Sequence, residues 1–386
     1  MPKTALLHIG TPKTGTTSIQ ECLAEAQQSG QLGPVCYPLI DGERNHHRLI
    51  PLYFPHNEIS LHWRRKYPVD DRRFRKMRQH YRQLLFAELN SAQSAIISSE
   101  ELSLRFTSRA VSHLRRDLES VGFEEFHIVL YVRDPADYYL SSTQQILKSS
   151  ADNPQKIRDP ATFRYRFLQA TEIWEQVFPG CLIVRGFPKS SELDVLDDFA
   201  ALVNRLMGVE LPRMPVRMNT TLSAEGMQIL LDYRLKFGAG PDGFINPVCP
   251  PDARRISLFL ERSTADIRQT KPVLKDEVAS RIRANHRADA DLILSRYGVD
   301  LGLRGIRDDT TREIRPLRII EDILASVDPE ISFQLLIRFI GTEAERSPKK
   351  RPLPVDLAAR AYNTIPQERR IARLDGWLRS LASGGQ

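Results

Sequence analysis

Residues 5–20, Ala-Leu-Leu-His-Ile-Gly-Thr-Pro-Lys-Thr-Gly-Thr-Thr-Ser-Ile-Gln, constrain this chain more than any other stretch. Residues 5–9 are a short apolar run with a β-branched end, and residues 10–15 are rich in turn formers. Thr16 opens a helical pattern, with Ile19, Cys22, Leu23 and Ala26 at i, i+3, i+4 and i+7. Strand, glycine loop and helix in this order build a phosphate cradle. Glycines let backbone amides approach an anion, and the helix N-terminus adds unpaired donors and the positive end of its dipole. A nucleotide triphosphatase loop reads G-x-x-x-x-G-K-[ST]. Gly10 and Gly15 have that spacing, but Thr16 fills the lysine slot and the lysine, Lys13, sits inside the loop. The cradle is kept and the charge is moved, which argues against Mg-ATP hydrolysis and for a different anionic nucleotide. The alternative is a plain strand-to-helix turn with incidental glycines.

A second motif has the same grammar. Residues 127–132 read as a buried strand, Arg133 stands at its carboxyl end, and Asp134-Pro135 supplies a helix cap followed by proline at the first helical position. Ser141 lies eight residues past Arg133, about two turns into that helix. A guanidinium and a hydroxyl so spaced can meet one phosphate, and arginine suits bidentate phosphate binding. The alternative, a generic capped helix start, leaves the first loop unexplained.

These residues carry a resemblance. Thr11-Pro12-Lys13-Thr14-Gly15-Thr16-Thr17 is similar to the 5′-phosphosulfate loop of sulfotransferases that use 3′-phosphoadenosine 5′-phosphosulfate (PAPS). The spacing R-x-P-x-x-x-x-x-S from Arg133 to Ser141 resembles their 3′-phosphate motif. The resemblance covers roughly residues 1–300. It implies PAPS as cosubstrate, bound through the loop from Thr11 and Pro12 to Thr17, with Thr14, Gly15, Thr16 and Thr17 on the 5′-phosphate. It implies Lys13 at the oxygen between phosphate and sulfate, Arg133 and Ser141 on the 3′-phosphate, and no need of a metal. Cytosolic members often carry tryptophan after the two threonines, where this chain has Ser18, so the adenine contact is left unassigned. Residues 185–188, Arg-Gly-Phe-Pro, resemble an element of bacterial relatives in which the backbone or Phe187 borders the nucleotide.

Residues 95–97 read as a buried strand ending in Ser98-Ser99-Glu100-Glu101. Ligands of open parallel sheets sit at the carboxyl ends of strands, so Glu100 is the expected base for an acceptor hydroxyl. Glu101 is a rival, and Ser98-x-x-Glu101 also fits a capping box. His8, inside the first strand, and His46 and His47, in an irregular segment over 30–55, are further rivals. That segment, rich in glycine and proline, reads as a substrate-facing flap.

The net charge of +7 is matched in full by residues 63–82, where nine lysines and arginines face two aspartates. This is a landing surface for an anionic partner or a solvated helix face. No nucleic-acid-binding motif is visible. The four cysteines (Cys22, Cys36, Cys181, Cys249) have no C-x-x-C pair and no metal spacing, and with Cys22 and Cys181 on apolar faces they read as buried thiols. No apolar run reaches the ~18 residues of a membrane span, and the first strand starts within a few residues of Met1, so the chain reads as cytoplasmic.

Helices are expected over 71–90, 107–122, 135–148, 160–178, 193–208, 219–237 and 281–297. The alternation of strands with helices predicts a three-layer αβα fold with a mostly parallel, P-loop-like central sheet. The reading divides the chain into a domain over 1–300 and a helical C-terminal extension over 301–386, with a Pro/Lys/Arg-rich linker at 347–354. The acceptor class it points to is a carbohydrate or glycolipid hydroxyl. A P-loop kinase would need a lysine after Gly15, and a non-catalytic nucleotide-binding adapter on the same fold would bind without turnover.

Overall fold

The structure, a computed structural model, describes residues 2–64, 66–68, 70–148, 158–188, 194–212, 221–237, 249–263, 267–303 and 320–346. In chain order its elements are β1 (Lys3–His8), α1 (Thr16–Gln28), β2 (Val35–Cys36), α2 (Leu49–Tyr53), α3 (Leu61–Arg64), α4 (Asp71–Ser91), β3 (Ser94–Ser98), α5 (Glu101–Leu104), α6 (Ser108–Ser120), β4 (Phe123–Val132), α7 (Pro135–Lys148), α8 (Phe167–Val177), β5 (Leu182–Gly186), α9 (Val195–Met207), α10 (Ala224–Phe237), α11 (Cys249–Arg262), α12 (Asp276–Asn285), α13 (Arg287–Tyr297) and α14 (Pro329–Arg346). The chain divides into two units. One comprises Met1–Tyr138, Arg164–Met218 and His286–Gly305, and the other Tyr139–Phe163, Asn219–Asn285 and Ile306–Gln386.

The first unit holds a five-stranded sheet in the order β2-β3-β1-β4-β5, with every pairing parallel. β1 takes the centre because its residues are apolar on both faces: Ala5, Leu6 and Leu7 are fully buried. On one face Leu6, Ile96, Val129 and Tyr131 pack with Ile19, Leu23 and Ala26 of α1 and with Phe199, Leu202 and Val203 of α9. Helices α6 and α8 pack against β4. The fold is therefore the expected α/β sheet flanked by helices. α1 leads from β1 out to the edge strand β2, whereas α6 leads from β3 across β1 to β4. The direction of winding reverses at β1, which is where open α/β sheets bind ligands. The register His8↔Ser98 sets the carboxyl ends of β3 and β1 level, and with His8↔Val129 the neighbouring β4 runs three residues further, to Val132.

Capping follows the sequence. Asp70 accepts from the Arg73 amide, Thr107 from that of Ala110, and Asp134 from those of Ala136 and Asp137. Two helical expectations need correction. Over 160–178 only Phe167–Val177 is helical. The Tyr165 amide donates to His286 Nε2 at 2.7 Å, which removes it from any helical ladder. Over 281–297 there are two helices, because His286 between them has φ −114° and ψ 6°. The 30–55 segment is packed: Tyr37, Ile40, His46, Leu49 and Ile50 are all essentially buried. The basic stretch divides in two. Arg64 donates to the Ile59 and Asn57 carbonyls, Arg82 grips Asp117 at 2.6 Å, and Lys66 sits over the Trp63 ring. Arg72, Arg73, Arg75 and Lys76 stand exposed on α4, and Arg65 lies outside the described residues.

In the second unit α10 packs on α11 and α14. Arg234 of α10, only 2% exposed, donates to the Ile146 and Leu147 carbonyls at the end of α7, where a cation also meets the negative end of the helix dipole. Glu225, fully buried, accepts from the Thr270 and Asp328 amides at 3.1 and 3.2 Å. The 347–354 linker and the helix expected beyond it lie outside the described residues. Among the described residues no helix is long and apolar enough to cross a membrane, and no group of His, Cys, Asp and Glu could hold a metal ion.

Candidate active site

The loop after β1 is shaped by its own side chains. Thr11 Oγ1 donates to the Tyr131 carbonyl at 2.9 Å and meets the Tyr165 hydroxyl. Thr14 Oγ1 donates to the Thr11 carbonyl, and Thr16 Oγ1 reaches the same oxygen at 3.4 Å. These three threonines are buried and turned inward, so the loop presents backbone to its exterior, with Thr17 exposed at the start of α1. Lys13 has φ 66° and Gly15 has φ 73°. Left-handed backbone costs a non-glycine residue about 1–2 kcal/mol, so the loop holds Lys13 against a local preference. Gly15 is the N-cap of α1 and no side chain caps that end, which leaves the first-turn amides without intrahelical partners. Gly10 is needed for space: a Cβ there would lie 2.6 Å from His8 Nε2 and 2.9 Å from Thr16 Oγ1.

Arg133 extends from the end of β4 toward this loop. Its Nη1 donates to the Lys13 carbonyl at 2.8 Å, its Nη2 is 3.9 Å from Asp137 Oδ2, and its guanidinium lies 5.1 Å from the Phe187 ring centroid. Burial pulls its pKa below the usual arginine value, opposed by Asp137, Tyr165 and Asp134. Its Nε is buried without a hydrogen-bond partner. Ser141 lies on α7, six residues past Pro135.

Beyond β3, Glu100 stands in a polar cluster. His47 Nε2 is 3.4 Å from Glu100 Oε1, and Gln20 Nε2 is 3.3 Å from Glu100 Oε2. Burial raises the Glu100 pKa, but the nearby His47 ring, the Glu100 amide and Gln20 outweigh it and leave the carboxyl below its usual value. Glu101 instead pairs with Arg105, one turn on, and its amide donates to Ser99 Oγ. Ser98 Oγ faces His8 Nδ1 at 2.8 Å, so the Ser98–Glu101 capping box does not form.

Two of the rival histidines are structural. His8 is fully buried between Tyr131 and Phe199. His46 Nδ1 accepts from the Ser98 amide at 2.9 Å and its Nε2 donates to the Pro38 carbonyl at 2.8 Å, a pattern only a neutral ring can make. Burial lowers both pKa values to about 4. Unfolded, both titrate near 6.5. Above that pH both states are neutral and the contribution to stability is complete. As pH falls from about 6.5 toward 4 the unfolded chain takes up protons that the folded one refuses, so stability is lost by about 1.4 kcal/mol per pH unit for each histidine. Calorimetry near pH 5 in buffers of different ionisation enthalpy should register uptake of about two protons on unfolding; uptake below one would contradict this assignment.

The sheet thus gathers the loop, Arg133 and Glu100 at one edge. Sequence reasoning left Gln20 and Tyr165 unassigned. Gln20 sits one turn into α1, on the face that carries Thr16, and a periodicity argument could have singled it out. Tyr165 is 154 residues from its partner Thr11 and carried no local signal.

No curated protein matches the chain. Residues 3–183 match the family model described as "Sulfotransferase domain", a span that runs from β1 into β5 and contains the loop, Glu100, Arg133 and Ser141. Residues 3–183 therefore carry a sulfotransferase domain.

Proposed function

We propose that this sulfotransferase moves a sulfuryl group from PAPS to a hydroxyl on a carbohydrate or glycolipid. The observation that carries the reading is the contact between Arg133 and the Lys13 carbonyl. It joins the loop after β1 to a second, buried cation suited to the extra phosphate that distinguishes PAPS from ATP. On this reading the amides of Thr14, Gly15, Thr16 and Thr17, with the Thr17 hydroxyl, hold the 5′-phosphate, while Thr11 and Pro12 set the loop's path. Arg133 and Ser141 hold the 3′-phosphate, and Phe187 borders the nucleotide.

PAPS supplies an activated sulfuryl group whose transfer, like phosphoryl transfer, has a loose transition state in which positioning and charge neutralisation dominate. Lys13 neutralises charge building on the oxygen that leaves sulfur. Glu100 takes the proton from the acceptor hydroxyl as that oxygen bonds to sulfur. A carboxylate below its usual pKa is deprotonated at neutral pH and a weak base, which suits a loose transition state. Gln20 holds its orientation through the hydrogen bond to Oε2, with His47 alongside. Lys13 and Arg133 supply the positive charge that a metal supplies in kinases. The exposed cations of α4 suit an anionic acceptor or partner.

The test is a thermal-shift titration with 3′-phosphoadenosine 5′-phosphate, Mg-ATP and AMP. A ligand at ~100 times its Kd stabilises by about 2.7 kcal/mol, and only the 3′-phosphorylated nucleotide should do so. Stabilisation by Mg-ATP instead would revive a kinase, and binding without PAPS turnover over a panel of neutral and acidic polysaccharides would favour an adapter.

A further inference from the structure

We infer that Arg133 is a positioning residue for the loop after β1, and that through it the 3′-phosphate and the 5′-phosphosulfate bind cooperatively. The inference rests on the PAPS reading and goes beyond it, because that reading gives Arg133 a phosphate contact alone.

Arg133 Nη1 is already engaged within the protein, donating to the Lys13 carbonyl at 2.8 Å. Lys13 is one of two described non-glycine residues with positive φ, and a backbone in that region persists only when its surroundings hold it. The loop's threonine hydroxyls converge on the Thr11 and Tyr131 carbonyls, not on Lys13. Arg133 fixes the loop from outside, at Lys13 itself, and the carbonyl it holds sets the direction in which the Lys13 side chain leaves the backbone. The same guanidinium keeps a donor in reserve: Nε is buried and unpartnered, and the other edge meets Asp137 only at 3.9 Å. Arginine's planar fork lets one group bind a carbonyl through one nitrogen and a phosphate through others, which a lysine ammonium cannot reproduce in the same geometry. A phosphate that orders this guanidinium therefore also orders the loop, and a nucleotide that orders the loop presents a preset arginine to its own 3′-phosphate. That is coupling in the thermodynamic sense, reciprocal between the two ends of one ligand.

The experiment compares binding of two nucleotides to the full-length protein by calorimetry: 3′-phosphoadenosine 5′-phosphate, and adenosine 5′-phosphosulfate, which has no 3′-phosphate. Arg133→Ala should weaken the first by 100-fold or more, and should weaken the second by about tenfold although that ligand offers Arg133 no 3′-phosphate. Arg133→Lys, which keeps the charge but places its donors on a single nitrogen, should recover part of one loss without restoring both. Circular dichroism and the melting temperature without ligand show that each variant is folded. If Arg133→Ala and Arg133→Lys both leave adenosine 5′-phosphosulfate affinity unchanged, Arg133 contacts only the 3′-phosphate and the inference is overturned. If the unsubstituted protein itself fails to prefer the 3′-phosphorylated nucleotide over AMP, the PAPS reading falls first, and the two failures are distinct.

Discussion

Replacing Lys13 by alanine is expected to lower sulfuryl transfer by about 10²–10³-fold, the size of effect seen when one preorganised group is removed from developing charge. The assay is single-turnover conversion of PAPS with the acceptor that gives the fastest turnover in the unsubstituted protein. The argument begins with the backbone. Lys13 adopts φ 66°, and alanine meets the same restriction, so the substitution leaves the loop's local energetics nearly unchanged. Arg133 holds the Lys13 carbonyl, not its side chain, so that contact also survives. Melting temperature without nucleotide should therefore shift by no more than a typical surface substitution. The loss should appear in turnover and far less in affinity for PAPS itself, whose bridging oxygen carries little charge until its bond to sulfur breaks. An interaction made only in the transition state behaves in this way. An equal loss in PAPS binding would make Lys13 a ground-state phosphate ligand, and unchanged turnover would remove it from the chemistry.

Much of this site was legible before the structure because its parts are local. The lysine displaced from the slot after Gly15, the arginine before Asp134-Pro135 and the acid after a buried strand are each read within ten residues. Strand propensity and the rule on carboxyl ends then place all three at one edge of a parallel sheet. Contacts that depend on long-range closure escaped. Tyr165 reaches Thr11, and the His286 ring takes the Tyr165 amide across 121 residues, so the helix expected over 160–178 begins late. His47 was one histidine among several until packing buried His46 on Ser98 and Pro38 and left His47 beside Glu100. Periodicity registers which face of an element is apolar; it does not register which polar side chains meet when two such elements dock.

Gly15 supports the second large effect. Its φ of 73° is comfortable for glycine and costs alanine about 1–2 kcal/mol. A Cβ there would also overlap Val195 Cγ1, at the first residue of α9. Forcing an extra carbon into a packed site costs typically 1–3 kcal/mol, so Gly15→Ala should destabilise the protein by about 2–4 kcal/mol, read from denaturant unfolding. Nucleotide affinity should fall with it, because the overlap is relieved only by moving the N-cap of α1 and with it the amides that face the phosphate. The two causes separate in a cycle with Val195→Ala. Val195 is 5% exposed, so its truncation alone is destabilising. In the double variant the overlap is gone and only the backbone penalty remains, so the two changes together should cost at least ~1 kcal/mol less than the sum of the single ones, within the range expected for residues in contact. Nucleotide affinity should recover in parallel. Strict additivity would mean that the loop already has room for a Cβ, and that spacing in the sequence, not packing against α9, selects glycine at this position.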